Sequence, residues 1–150
     1  MFRWLALAML LTAACGRGQK QLPDLELPTL AAEPKVKLSH CPTEKCLLIY
    51  VAPWCPYCRA ATGPINALRT YLKDRDIASR VVVGMDKSES VREYAREFGP
   101  DTLLDEHGAF NVSGVPHFII ADRKGLVIKA VPGMPPTQDA GELAEFFGLP

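Results

Sequence analysis

Two cysteines separated by two residues, Cys55 and Cys58, are the side chains with the clearest chemistry in the chain. They follow a short, almost wholly apolar run at residues 47–52 and precede a segment whose apolar residues recur at helical spacing. This pattern predicts that Cys55 lies at a strand-to-helix junction. There, unpaired backbone N–H groups and the positive end of the helix dipole favour a thiolate over a thiol. Because the thiolate is the nucleophile in disulfide chemistry, the motif predicts thiol–disulfide exchange.

The two cysteines are expected to have different roles. Cys55 precedes the helix and is the predicted nucleophile. Cys58 lies one turn into the helix and is the predicted resolving cysteine, which attacks Cys55 to release a mixed disulfide. The alternatives are a structural disulfide and half of a metal site, but a bridge gains little from so short a loop. No second Cys-X-X-Cys or His pair at zinc spacing follows. We therefore expect redox catalysis that needs no metal and no other cofactor.

A second cysteine pair, Cys41 and Cys46, lies just before the first apolar run. The simplest interpretation is a structural disulfide, which would stabilise the fold by about 2 kcal/mol because its loop is short. Two alternatives remain at this level: a second redox pair that relays electrons, or a metal site formed with His40.

Around these cysteines the sequence alternates strand-like and helix-like segments. In chain order, the predicted elements are a strand at 47–52, a helix that begins directly after Cys55, a strand at 80–85, a helix at 88–98, strands at 118–121 and 126–131, and a helix at 137–147. The order β-α-β-α-β-β-α predicts an α/β fold, with a central mixed β-sheet flanked by helices on both faces.

A further motif, Gly114-Val115-Pro116, directly precedes the third of these strands. Together with a Cys-X-X-Cys after the first strand, it resembles the thioredoxin-like superfamily. The continuation through Asp122 to Gly125 is similar to that of bacterial membrane-tethered periplasmic thiol–disulfide oxidoreductases. This resemblance implies a thioredoxin-like fold and a cis peptide bond before Pro116. It also implies that the Val115 backbone pairs with an extended substrate strand.

The resemblance further implies partners. These are protein thiols and disulfides as substrates and a membrane redox partner that supplies electrons, with the chain acting as a reductant more readily than as an oxidant. Two alternatives belong to other classes of protein. One is a copper-binding assembly protein on the same scaffold, with thiolates as soft ligands. The other is a non-catalytic interaction domain.

Four residues near the motifs carry narrower expectations. Trp54 either shields the cysteines or packs under the loop, and Tyr57 is expected to face solvent. His117 follows Pro116 and is expected to point away from the cysteines rather than to contact the thiolate. Thioredoxins carry a buried acid six residues before the first cysteine, and Ile49 stands at that place here.

The N-terminal region predicts export. Residues 1–15 have the charged, apolar and small-residue regions of a secretory signal, and residues 11–15 resemble a bacterial lipobox in which Cys15 is lipidated. An ordinary signal peptide is the alternative. Residues 16–37 contain prolines without a helical or strand period and predict a flexible tether, so that the thioredoxin-like domain spans residues 38–150. We expect a lipid-anchored protein at the periplasmic face of a bacterial membrane.

Charge composition excludes one class of partner. Lys plus Arg and Asp plus Glu both number 17. With no excess of positive charge to attract phosphates, the sequence does not predict nucleic-acid binding.

Overall fold

The computed structural model describes residues 20–32 and 34–150. The strands are β1 (Glu26–Leu27), β2 (Val36–Lys37), β3 (Lys45–Val51), β4 (Ala78–Gly84), β5 (Leu103–Asp105), β6 (His117–Asp122) and β7 (Val127–Pro132). The helices are α1 (Pro56–Lys73), α2 (Ser88–Ala95) and α3 (Ala140–Phe147). None of these helices is long and apolar enough to span a membrane.

The five longer strands form one mixed sheet in the order β5-β4-β3-β6-β7. β3, β4 and β5 run parallel to one another, whereas β6 is antiparallel to both β3 and β7. The predicted α/β class and mixed sheet are confirmed. β5 was not predicted, because three residues are too few to show a period.

The helices pack on the sheet face that contains Ile49. Buried residues of all three helices form one apolar cluster with Ile49, Val81 and Phe118. We expected helices on both faces, but in the described part of the chain they cover only this one. The handedness of the strand connections explains this for α1 and α2. The connections β3-α1-β4 and β4-α2-β5 move across the sheet in the same direction. Because such connections are right-handed, both helices lie on the same face of the sheet.

The opposite face is covered by the segment that precedes β3. Leu22, Leu27 and Leu38 are buried there in one cluster with Tyr50, and β1 pairs with β2. The prediction of a flexible tether at residues 16–37 is therefore wrong where the structure describes that segment. The predicted domain start at residue 38 is wrong for the same reason. These leucines follow neither helical nor strand spacing, so their burial could not be predicted from a sequence period. The predicted signal peptide and Cys15 lie outside the described residues.

Candidate active site

Cys55 is the residue that caps the N-terminus of α1. It follows the end of β3, and its Sγ accepts a hydrogen bond from the backbone N–H of Cys58 at 3.4 Å. The sulfur thus takes the position that a Ser or Asp oxygen usually occupies at a helix start. Pro56 occupies the first helical turn, where its missing N–H costs nothing. The predicted strand-to-helix junction is therefore where the structure places Cys55.

Cys58 is the more deeply buried of the two thiols, at 0% exposed against 3% for Cys55. Burial raises the pKa of Cys58 to about 12, and the neighbouring Cys55 sulfur adds to the rise. The Ala52 backbone and the positive charge of Arg59 act in the opposite direction. A thiol in this environment stays protonated at neutral pH. Both sulfurs are buried, and the geometry separates a helix-capping sulfur from a more deeply enclosed one.

The loop before β6 lies directly against the first cysteine. The Val115–Pro116 peptide bond is cis, as predicted. The Val115 carbonyl oxygen accepts a hydrogen bond from the Cys55 thiol at 3.6 Å. The two motifs that are 60 residues apart in sequence therefore meet at one point.

Two exposed aromatic rings lie at the cysteine motif, Trp54 directly before Cys55 and Tyr57 between the two cysteines. Trp54 is 57% exposed and Tyr57 is 66% exposed, so Tyr57 faces solvent as predicted. The Trp54 indole does not pack under the loop; its Nε1 donates a hydrogen bond to the Met85 carbonyl oxygen at 2.9 Å. Met85, which is itself exposed and has a φ of 61°, was not predicted as part of the site.

Arg59 is a second residue that the sequence reasoning missed. Its Nε donates to the Pro53 carbonyl oxygen at 3.0 Å, and its Nη1 donates to Glu97 at 2.8 Å. The guanidinium lies 3.9 Å from the centre of the Tyr94 ring. Arg59 therefore connects the loop before Cys55 to the turn after α2. The signal available in the sequence was its position directly after Cys58.

Tyr94 lies behind the buried thiol. Its hydroxyl is 3.0 Å from the Thr62 Oγ1, which also donates to the Cys58 carbonyl oxygen at 3.3 Å. Burial raises the pKa of Tyr94 to about 12, so the phenol stays neutral.

His117 does not take part in this site. It is buried on the opposite face of the sheet, and its Nδ1 lies 3.2 Å from the Gly114 carbonyl oxygen. Desolvation lowers its pKa, although the bond to Gly114 opposes the change. The expectation that His117 points away from the cysteines is confirmed.

No buried acid lies beside the cysteines in the described ranges. Ile49, at the place of the thioredoxin acid, is fully buried and apolar. The buried carboxylate of the fold is Asp105, which accepts hydrogen bonds from the Tyr50 hydroxyl at 2.7 Å and from the backbone N–H groups of Ala109 and Phe110. Because Tyr50 belongs to the opposite face, this acid is not placed to move a proton to or from Cys58.

Cys41 and Cys46 form a disulfide, with their Cα atoms 5.8 Å apart. The bridge lies at the start of β3, whereas Cys55 follows its end. Val51 lies five steps along the strand from Cys46, or about 17 Å at strand rise, so the two pairs cannot exchange directly as an electron relay. The alternative metal site with His40 has no support either, since the described residues hold no group of three or more His, Cys, Asp or Glu placed to bind a metal.

Comparison with known proteins places this site in a family. Among solved structures, a protein assigned as the thiol:disulfide interchange protein DsbE from Chlorobium tepidum is 23% identical, with a TM-score of 0.69, covering 88% of this chain and 97% of that one. The exposed lipoprotein thioredoxin Etrx1 from Streptococcus pneumoniae is 22% identical, with a TM-score of 0.66, covering 85% and 100%. A secreted disulfide oxidoreductase from Mycobacterium tuberculosis is 16% identical, with a TM-score of 0.62, covering 81% and 96%.

These likenesses confirm the thioredoxin-like fold. No curated protein sequence matches the chain. The model of the Redoxin family matches residues 17–144, which include both the cysteine motif and the cis-proline loop. The chain therefore belongs to the Redoxin family.

Proposed function

We propose that the chain is a protein thiol–disulfide oxidoreductase that works through Cys55 and Cys58. The observation that carries the proposal is the pairing of a helix-capping sulfur with a fully buried one. Cys55 accepts the Cys58 N–H and meets the cis-proline loop, while Cys58 is enclosed behind it. Membership of the Redoxin family and the thioredoxin-like fold support this assignment.

The proposed cycle consists of two exchange steps. The Cys55 thiolate attacks one sulfur of a substrate disulfide; the substrate S–S bond breaks, a mixed disulfide forms, and the departing thiolate takes a proton. Cys58 then loses its proton and attacks the Cys55 sulfur, which releases the second substrate thiol. The substrate gains two electrons and two protons, and the enzyme ends with a Cys55–Cys58 disulfide.

The environment of Cys58 supports this order of events. The presence of the Cys55 sulfur is one cause of the raised pKa of Cys58. Once Cys55 is bound in a mixed disulfide it carries no charge, so that contribution is removed and the Cys58 proton is lost more easily. Resolution would then follow capture of the substrate rather than precede it.

The cis-proline loop supports a role for Val115 and Pro116 in positioning substrate. An extended substrate strand that pairs with the Val115 backbone would bring its own sulfur to Cys55, in place of the thiol contact at 3.6 Å. Trp54, directly before Cys55, and Tyr57, between the two cysteines, offer exposed aromatic surface at the motif. We assign both rings to substrate contact.

We also propose that the chain acts as a reductant and that a membrane redox partner reduces its Cys55–Cys58 disulfide again. A lipid on Cys15 holds the chain at the periplasmic face of the membrane in this proposal. The similarity of the segment after Pro116 to tethered reductases supports the direction. The lipobox-like residues 11–15 support the anchor. One structural neighbour is a lipoprotein thioredoxin and another is a secreted oxidoreductase.

Trapping the mixed disulfide tests the cysteine roles. Cys58→Ser should accumulate a covalent adduct with a disulfide-bonded substrate such as insulin, visible by mass spectrometry, whereas Cys55→Ser should form none. The double variant Cys41→Ser with Cys46→Ser is the matched control and should retain insulin reduction. Adducts on Cys58 alone, or full activity without Cys55, would refute the assignment.

A redox titration against glutathione tests the direction. Thioredoxin-fold proteins span about −270 to −120 mV, and a midpoint near the lower value supports a reductant. A midpoint near the upper value would reverse the direction while leaving the exchange chemistry intact. Mass spectrometry of the mature N-terminus tests the anchor, since an unmodified chain that lacks Cys15 is incompatible with it.

A further inference from the structure

A large cleft lies at the end of the sheet opposite to the cysteine pair. It has a volume of about 1030 Å³ and is formed by the C-terminal half of α1, the first residues of β4 and the turn after α2. None of the residues that line it belongs to the cysteine motif or to the cis-proline loop. A ligand in this cleft would therefore bind apart from the proposed redox chemistry.

The cleft carries an excess of positive charge. Its charged residues are Arg69, Lys73, Arg80, Arg96, Asp76, Glu97 and Asp101. Two of the carboxylates are already occupied: Glu97 pairs with Arg59 at 2.8 Å, and Asp101 pairs with Arg69 at 2.6 Å. Within the described ranges, Lys73, Arg80 and Arg96 form no ion pair. Asp76 is the one acid lining the cleft that is not in an ion pair there.

Two guanidinium groups in the cleft have unused donors. The Nε of Arg69 and the Nη1 of Arg80 are buried and have no hydrogen-bond partner among the described atoms. The other two nitrogens of Arg69 donate to the Phe98 carbonyl oxygen and to Asp101, both at 2.6 Å, which holds the side chain in place. Burial lowers the pKa of Arg80, and the negative charge of Asp101 opposes this change. A buried N–H without an acceptor is costly, so both groups favour an incoming acceptor.

An oxyanion with several acceptor atoms meets these requirements. Guanidinium groups bind phosphate in bidentate fashion, and a group with more than one negative charge suits the three unpaired cations. Lys73 and Arg96 are exposed at the rim and can close on a bound anion. We propose that this cleft binds a phosphate-type oxyanion, either free or as an anionic lipid headgroup.

Titration of the full-length chain with inorganic phosphate tests the proposal. Saturable binding is expected, followed by calorimetry or by amide chemical shifts of residues around the cleft. Arg80→Gln should weaken it by about tenfold, since a hydrogen-bonded charge is removed. Arg123→Gln is the matched control: it removes an exposed arginine outside the cleft and should leave the affinity unchanged.

A second variant covers the possibility that Arg80→Gln does not fold. The rim double variant Lys73→Gln with Arg96→Gln alters only exposed side chains and should weaken phosphate binding about threefold or more. Absence of saturable phosphate binding by the unaltered chain would overturn the proposal. So would an equal loss of affinity in Arg123→Gln.

Vesicles distinguish the two sources of phosphate. In a Cys15→Ser background, which removes any lipid anchor, the chain is mixed with phosphatidylglycerol or with phosphatidylcholine vesicles. Binding to phosphatidylglycerol alone that is lost in Arg80→Gln identifies a lipid headgroup. Phosphate binding without vesicle binding identifies a free oxyanion. Binding to phosphatidylglycerol that persists in the cleft variants, with no saturable phosphate binding, overturns the site.

Discussion

The substitution Gly84→Ala is expected to destabilise the fold strongly. A Cβ built on Gly84 would lie 2.1 Å from the Tyr50 hydroxyl oxygen, 2.9 Å from its ring and 3.0 Å from the Asp105 Cβ. Tyr50 is fully buried and its hydroxyl donates to Asp105 at 2.7 Å, so the ring has no free space into which it can move. The clash would therefore separate a buried carboxylate from its donor.

The magnitude follows from two costs. Overpacking a core costs about 1–3 kcal/mol, and loss of a hydrogen bond to a charged group costs about 1.5–3 kcal/mol. We expect a loss of about 4 kcal/mol in the free energy of unfolding, measured by urea denaturation followed by circular dichroism. Gly63→Ala is the matched control. Apart from its chain neighbours and the adjacent backbone of α1, no described atom lies within 4 Å of a Cβ at this position. The gain in helix propensity is offset by the following proline, so the change should stay within about 1 kcal/mol.

The double variant Gly84→Ala with Tyr50→Phe separates the clash from a general effect of alanine. Removing the hydroxyl eliminates the 2.1 Å contact and leaves the ring contact at 2.9 Å. The double variant should therefore be less destabilised than the sum of the single variants by about 1 kcal/mol or more. Additive losses, or a Gly84→Ala protein as stable as Gly63→Ala, would refute the reasoning.

Three further predictions concern the charges and the bridge. Arg59→Gln should slow release of substrate from the mixed disulfide about two- to fivefold at neutral pH, because the half-exposed charge that lowers the pKa of Cys58 is lost. Arg59→Lys keeps the charge and should have a smaller effect. Equal release rates of Arg59→Gln and the unaltered chain, measured by quenched-flow, would contradict this prediction. The pKa of His117 is lower in the folded than in the unfolded chain, so the unfolded state binds more protons and stability falls as pH decreases below about 6.5. His117→Asn should flatten that part of a stability–pH curve, and an unchanged slope would count against it. Loss of the Cys41–Cys46 bridge by paired Ser substitution should cost about 2 kcal/mol in denaturant unfolding, and no change would show that the bridge adds no stability.

The cysteine site was predictable because its parts are local. Cys55 caps a helix whose first residues are Pro56 to Cys58, and an apolar strand precedes it, so the spacing alone implies the geometry of the sulfur. Pro116 was predictable from resemblance, as a proline directly before an apolar strand. The exposed ring of Tyr57 follows from its place on the first turn of α1.

The contacts around the site were not predictable in this way. Arg59 bonds to Glu97 across 38 residues, and Trp54 bonds to Met85 across 31. Such pairs have no sequence period, since they depend on where α2 and the end of β4 lie relative to α1. The sequence therefore did not indicate that Arg59 would be held beside the cysteine pair.

The sequence by itself determined that Cys55 stands at the start of a helix with Cys58 one turn into it, which strands flank them and the mixed character of the sheet, because each depends on short-range spacing and on which residues are apolar. Only the tertiary structure decided which face the helices cover, that Leu22 and Leu27 complete the core, and that Asp105 bonds to Tyr50 on the face opposite to the cysteines. The physical reason is that the hydrophobic effect favours the burial of apolar side chains without specifying which side chains they contact. Chain connectivity and the handedness of the crossovers select the surface on which each apolar residue is buried.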